Sequence, residues 1–232
     1  MKNIFFNYNF TFADGRQKNF NVSLDGNTLE LQNEKRDSYP DWTRMDNFQC
    51  PNCPVDKNTT GYCPVVTNLC DLIDYFKDSI SYEEVDIDIE TAERTYRKHA
   101  SLQGGLNSLI GIYMVTSGCP VMEKLKPMVR FHLPFATVEE SSFRMISMYL
   151  MAQYFLKKNG QQPDWELSNL VNIYNDIRVV NRNFCSRLSQ IKVKDATINS
   201  LITLDCFAFS ISYFIDKDKM EKLEELFDAY LK

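Results

Sequence analysis

Cys50-Pro51-Asn52-Cys53, followed by Cys63-Pro64, is the stretch of this chain whose residue types and spacing can do chemistry. Two cysteines with two residues between them turn both sulfurs toward one point, as a tetrahedral zinc ion requires, and Pro51 and Pro54 restrict that turn. Cys63 arrives after a polar loop and supplies a third sulfur. Cys119, in Ser117-Gly118-Cys119-Pro120, repeats the Cys-Pro setting far along the chain. With Pro120 as the first residue of a short helix, Cys119 stands at its cap, where backbone N–H groups favour a thiolate as metal ligand or as nucleophile. We therefore expect Cys50, Cys53, Cys63 and Cys119 to share one zinc ion, with His132 as the substitute fourth ligand. A zinc ribbon repeats the Cys-X-X-Cys pair, and here the second pair is absent, so free thiols in an ordinary loop and core remain the competing reading. Cys70, Cys185 and Cys206 read as small core residues.

The second pole is Pro127 to Phe135, a run flanked by prolines in which an extended backbone puts Arg130 and His132 on the same side. Two function classes follow. In the first, the cysteines hold a structural zinc that staples an N-terminal sheet and the loop from Cys50 to Cys63 to a helical body, and the chain is a binding or scaffold protein for a protein partner. In the second, a metal- or thiol-dependent enzyme uses Cys119 and His132. No nucleophile and base signature accompanies that pair, which puts binding first.

Other chemistries lack their residues. Gly104-Gly105 has neither the glycine spacing nor the Lys-Ser/Thr ending of a phosphate loop, and neither His99 nor His132 follows a glutamate by three positions, as a di-iron bundle requires. A net charge of -5 gives no general basic surface, so no specific nucleic-acid partner is expected. Met1 to Asn7 carries no apolar run and polar residues recur too soon for a membrane span, so a cytoplasmic address is expected. In that reducing compartment clustered cysteines serve metals or thiol chemistry, and an odd total of seven leaves one unpaired in any disulfide scheme.

The elements that position these residues follow from periodicity. Ile4, Phe6, Tyr8, Phe10 and Phe12 alternate, Ala13 to Arg16 turns, and Phe20, Val22 and Leu24 alternate again, which predicts a hairpin whose aromatic face is core. Asp25-Gly26-Asn27 leads to a third strand at Thr28 to Leu31, and Val85, Ile87 and Ile89 form an added strand at 83–89. Residues 32 to 49 look irregular. Pro64 starts a helix carrying Val65, Val66, Leu69, Leu72, Ile73 and Phe76, and Thr91 is expected to cap another that runs through Tyr96, Leu102 and Leu109. Gly104, Gly105 and Gly111 in that helix predict the close approach of another backbone.

The hairpin, the Cys-Pro-X-Cys-Pro segment, Leu102-Gln103-Gly104-Gly105-Leu106, Ser117 to Pro120 and Arg130-Phe131-His132-Leu133-Pro134-Phe135 together resemble an uncharacterised bacterial family catalogued as a domain of unknown function. The resemblance extends over most of the chain. It implies a bacterial, cytosolic origin and assigns no catalytic residue.

From Thr137 onward the pattern is helical, opening on the capping box Thr137-Val138-Glu139-Glu140 with Phe143, Ile146, Leu150 and Tyr154 on one stripe. A helix after Pro163 carries Leu170 to Leu188, Asp195 caps a third, and a last amphipathic helix carries Met220, Leu223, Leu226, Phe227 and Tyr230. Glu140, Arg144, Asp176, Arg178, Arg182 and Asp205 interrupt these faces as a network that orients a site or holds helices in register. The expectation is a single domain, 1–232, of α+β class: a small N-terminal antiparallel sheet packed on a helical bundle of about six helices. Strands and an irregular segment occupy 1–49, the Cys-rich connection 50–70 and the helical body 71–232.

Overall fold

Alternating aromatic residues at the start of the chain commit it to a sheet with one buried face. In a computed structural model, which describes residues 2–32, 36–215 and 217–232 without the side chains of 212, 217–219 and 222, that sheet has four strands. β1 (Ile4–Phe12) and β2 (Gln17–Leu24) form the expected hairpin, and β3 (Glu84–Glu90) pairs with the other edge of β1. β4 (Thr95–Ser101) completes the antiparallel order β2-β1-β3-β4. The protein is α+β, a small N-terminal antiparallel sheet on a predominantly helical body.

Two strand expectations are corrected. Residues 95–101 are strand, and Thr91 caps no helix; it sits in the β3–β4 turn, its N–H on Arg94 O. β4 pairs with β3 along a backbone ladder, with cross-strand side-chain contacts beside it: Arg97 to Asp88, with Oδ1 at 2.5 Å, and a hydrogen bond between His99 Nδ1 and Asp86 at 2.8 Å. Thr28 to Leu31 makes only an isolated bridge from Leu31 to Leu24. There the Asp25 carboxylate accepts the N–H groups of Asn27 and Thr28, and Leu29 turns left-handed at φ 58°, so the chain cannot extend. Residues 33–35, within the segment read as irregular, lie outside the described residues.

Helix α1 (Pro64–Phe76) starts at Pro64, and Val65, Val66, Leu69, Leu72, Ile73 and Phe76 are all buried, as the stripe predicts. Cys70 is buried with them. α2 (Leu102–Val115) begins only after β4. Tyr8, Phe10, Ile87 and Ile89 are sealed in the core with residues of α1 and α2, and Phe10 meets Phe76 edge to face at 5.5 Å. Burying each of these side chains contributes roughly 1.5–3 kcal/mol. α2 reaches the sheet at Gly105, where a Cβ would fall 2.6 Å from Phe10 Cε1 and 2.7 Å from Ile87 Cδ1. The close approach is by side chains rather than by backbone, and at Gly111 nothing lies within 4 Å.

After α2 come a 3₁₀ turn (Met122–Leu125) and α3 (Lys126–Arg130), so the run from Pro127 is not extended. Pro127 occupies the first turn of α3, where its missing N–H costs nothing. α4 (Val138–Lys158) opens on the predicted capping box of Thr137 and Glu140. Its buried face is Ser142, Met145, Ile146, Tyr149 and Gln153, rotated from the expected stripe so that Phe143 and Tyr154 are exposed. α5 (Ser168–Leu188) and α6 (Asp195–Phe214) pack closely together, and Asp205 receives Arg178 and Arg182 at 3.5 and 3.1 Å. Of the expected polar network, this part holds helices in register; Glu140 belongs to the capping box, and Asp176 accepts from Asn52. α7 (Lys217–Glu224) ends in a 3₁₀ turn and α8 (Asp228–Leu231), leaving Leu226, Phe227 and Tyr230 exposed instead of on one buried face. Among the described residues no helix is long and apolar enough to cross a membrane.

Candidate metal centre

Three segments bring the cysteines together. In the Cys50 loop, Cys53 N–H donates to Cys50 O at 3.0 Å, closing the turn that the spacing predicts. Asn52 at its tip donates to Asp176 O at 3.0 Å, which anchors the loop on α5. Cys63 is the residue before Pro64 at the start of α1, and its carbonyl accepts from Val66 and Thr67. Its own N–H reaches Thr43 O at 3.0 Å, so the strand-like segment before it is tied to the 3₁₀ turn Asp41–Thr43. Cys119 follows Gly118, which adopts φ 83°, and Cys119 O accepts from Glu123 N–H at 2.9 Å. The helical turn after it begins at Met122 rather than at Pro120, two residues later than expected.

All four predicted thiols line one cavity of about 30 Å³, with Met45, Phe48, Val55, Val65, Val121 and Val180 as its apolar wall. That volume holds one small ion or a water-sized object. Among the described residues, no three His, Cys, Asp or Glu side chains are grouped tightly enough to hold a metal ion as they stand. Tetrahedral zinc needs sulfurs about 3.8 Å apart, from Zn–S bonds of about 2.3 Å.

Burial raises the thiols of Cys50, Cys63 and Cys119. It pushes Cys50 up to about 12, with neighbouring Cys63, Cys53 and Cys119 adding to the rise and the Arg187 guanidinium opposing it. Cys63 and Cys119 are raised by burial too; the N–H groups of Val66 and Val65 pull Cys63 back, and those of Met122 and Val121 pull Cys119 back. Cys53 acts electrostatically on Cys50, Cys63 and Cys119, and Cys63 on Cys50 and Cys119, in keeping with the cavity that all four line.

Arg187 is the residue that periodicity does not single out. It lies on the buried stripe of α5 between Phe184 and Leu188 and is 4% exposed. Its Nη1 donates to Trp42 O at 2.7 Å and Arg44 O at 3.1 Å, and its Nη2 to Phe48 O. Among the described residues no carboxylate pairs with it; the acidic groups that act on it are Cys63 and Cys50. A charged residue on a largely apolar helical stripe is the sequence signal that marks it.

His132 lies elsewhere. It lines a second cavity, of about 420 Å³, to which α2, α3, α4, α5 and α6 all contribute. Its Nε2 is 2.8 Å from Tyr8 Oη, which is 2.9 Å from Ser108 Oγ. Burial, with a smaller push from Arg144, lowers its pKa to about 3, so the imidazole is neutral. Arg130 is not among the described residues lining that cavity; it ends α3, where the run is helical rather than extended, and reaches Gly26 O at 3.5 Å. Cys206, expected in the core, is exposed on the wall of the larger cavity, and Cys185 is half-buried.

A family model described as a domain of unknown function (DUF6901) matches residues 6–228. No curated protein and no solved structure matches the chain.

Proposed function

Because the chain belongs to the family described as a domain of unknown function (DUF6901), which lends it no activity, we propose from its own geometry that it is a binding or scaffold protein with a structural zinc site. Cys50, Cys53, Cys63 and Cys119 are the ligands. The observation that carries this reading is their shared cavity beside a buried arginine that, among the described residues, has no carboxylate partner. Four thiolates around Zn²⁺ carry a net charge of about -2, and Arg187 offsets one unit of it. Cys50, Cys63 and Cys119, raised by burial, are protonated without metal; metal binding releases their protons as side-chain rotations close the site. Zinc there ties the start of α1 and the turn before α3 to the loop that Asn52 docks on α5.

A structural role is favoured over catalysis by what the cavity lacks. Among the described residues it is lined by no His, Asp or Glu that could take a proton from a thiol, and His132 lines the other cavity. Seven free thiols suit a reducing, cytosolic compartment. We expect one zinc per chain by elemental analysis of protein purified without chelator. Cys119→Ser is expected to lower zinc content and thermal stability together, whereas Cys206→Ser is expected to change neither. A chain without zinc under zinc-replete expression, or a Cys119→Ser variant with full zinc, contradicts the proposal.

A further inference from the structure

The larger cavity combines a largely apolar wall with one cationic side chain. Its wall is largely apolar, with Ile112, Val115, Leu125 and Phe207 joined by Met122 and Met128, whose unbranched side chains adapt to a flexible guest. Within that wall stands a cation. Arg144 is half-buried, and its Nη2 donates to Met128 O at 3.2 Å and to Phe131 O. Among the described residues no carboxylate forms an ion pair with it, because Glu140, one turn earlier, is committed to the capping box with Thr137. Two further wall residues carry an unsatisfied atom: Tyr174 and Asn181 are each 2% exposed, and among the described residues Tyr174 Oη and Asn181 Oδ1 have no hydrogen-bond partner.

The cavity also has a backbone signature. Gly111 lies inside α2, where glycine is unfavourable, and a Cβ there would meet nothing within 4 Å. Close packing explains Gly105 and cannot explain Gly111, which lines the cavity. A glycine in mid-helix facing open space keeps that space free.

We propose that this cavity binds an aliphatic carboxylate, its chain along the apolar wall and its carboxylate on the Arg144 guanidinium. With Arg144 Nη2 committed to Met128 O and Phe131 O, a carboxylate is met by the charge and the remaining Nη1 and Nε donors of the guanidinium, while an apolar body is needed to displace water from the wall. A phosphorylated nucleotide fits poorly, since among the described residues Arg144 is the one lysine or arginine that lines the cavity.

The test uses the full chain with its metal, titrated calorimetrically with dodecanoate, dodecanol and acetate below the micellar range. Dodecanoate is expected to bind one per chain, dodecanol at least tenfold more weakly, about 1.4 kcal/mol, and acetate not measurably. Gly111→Phe fills the cavity and is expected to weaken dodecanoate at least tenfold with no loss of folding stability. Arg144→Gln is expected to erase the preference for dodecanoate over dodecanol. Should that variant fail to fold, the two ligands on the unaltered chain and the Gly111→Phe variant decide. Absence of dodecanoate binding, equal binding of the alcohol, or unchanged binding to a folded Gly111→Phe variant overturns the proposal.

Discussion

Replacing Arg187 by methionine keeps most of the apolar stem of the side chain and removes its charge and its donors. Three carbonyls, those of Trp42, Arg44 and Phe48, then lose their partner under a residue that is 4% exposed. Each unsatisfied buried acceptor costs about 1–3 kcal/mol, so the segment from Trp42 to Phe48 should be destabilised by about 3–5 kcal/mol after partial relaxation. A second loss adds to it only when zinc is bound, because the cation that offsets the thiolates has gone. Urea unfolding with and without a zinc chelator separates the two. The variant should be less stable in both conditions and should lose more of the stabilisation that zinc confers. A cycle combining Arg187→Met with Cys50→Ser should show a coupling of about 1 kcal/mol or more in zinc-bound protein and less in chelated protein. If Arg187→Met keeps full zinc affinity, or if the coupling is the same with and without metal, the guanidinium is not the counter-charge of the site.

Two glycines in one helix should respond with opposite signs. Gly105→Ala forces Phe10 and Ile87 to move from contacts of 2.6 and 2.7 Å and should destabilise, whereas Gly111→Ala should stabilise by about 0.5–1 kcal/mol. Matching urea midpoints for the two variants would refute that contrast. For His132, a folded pKa of about 3 against 6.5 unfolded means that the unfolded chain takes up the proton first as pH falls. Its contribution to stability is therefore complete above pH 6.5 and is lost progressively as pH falls from 6.5 toward 3. With only two histidines in the chain, NMR of the imidazole C–H signals checks this: the signal missing from His132→Gln should not titrate between pH 8 and 5. A midpoint near 6.5 for that signal would contradict the account.

The sheet was legible because Ile4 to Phe12 and Val85 to Ile89 alternate strictly, and the start of α1 because Pro64 opens an apolar stripe. β4 was not, because Thr95 to Ser101 has no apolar alternation; it is strand by its backbone pairing with β3, which sets Arg97 and His99 opposite Asp88 and Asp86. The face that α4 buries was misjudged since Phe143 and Tyr154 mimic a core stripe while Ser142 and Gln153 occupy the buried one. At the cysteines, residue type and spacing chose the four thiols that line one cavity. Arg187 and Asn52 escaped because their partners lie 139 and 124 residues away, at Phe48 and Asp176, and local periodicity carries no such information. The larger cavity left one trace in the sequence, Gly111, which read as a packing glycine.

X-ray absorption at the zinc edge of the protein as purified tests the central claim most directly. Four sulfur neighbours at about 2.3 Å with no nitrogen or oxygen in the coordination sphere is the predicted result. A first shell containing imidazole nitrogen or water oxygen, or protein that holds no zinc, would contradict a closed site of Cys50, Cys53, Cys63 and Cys119.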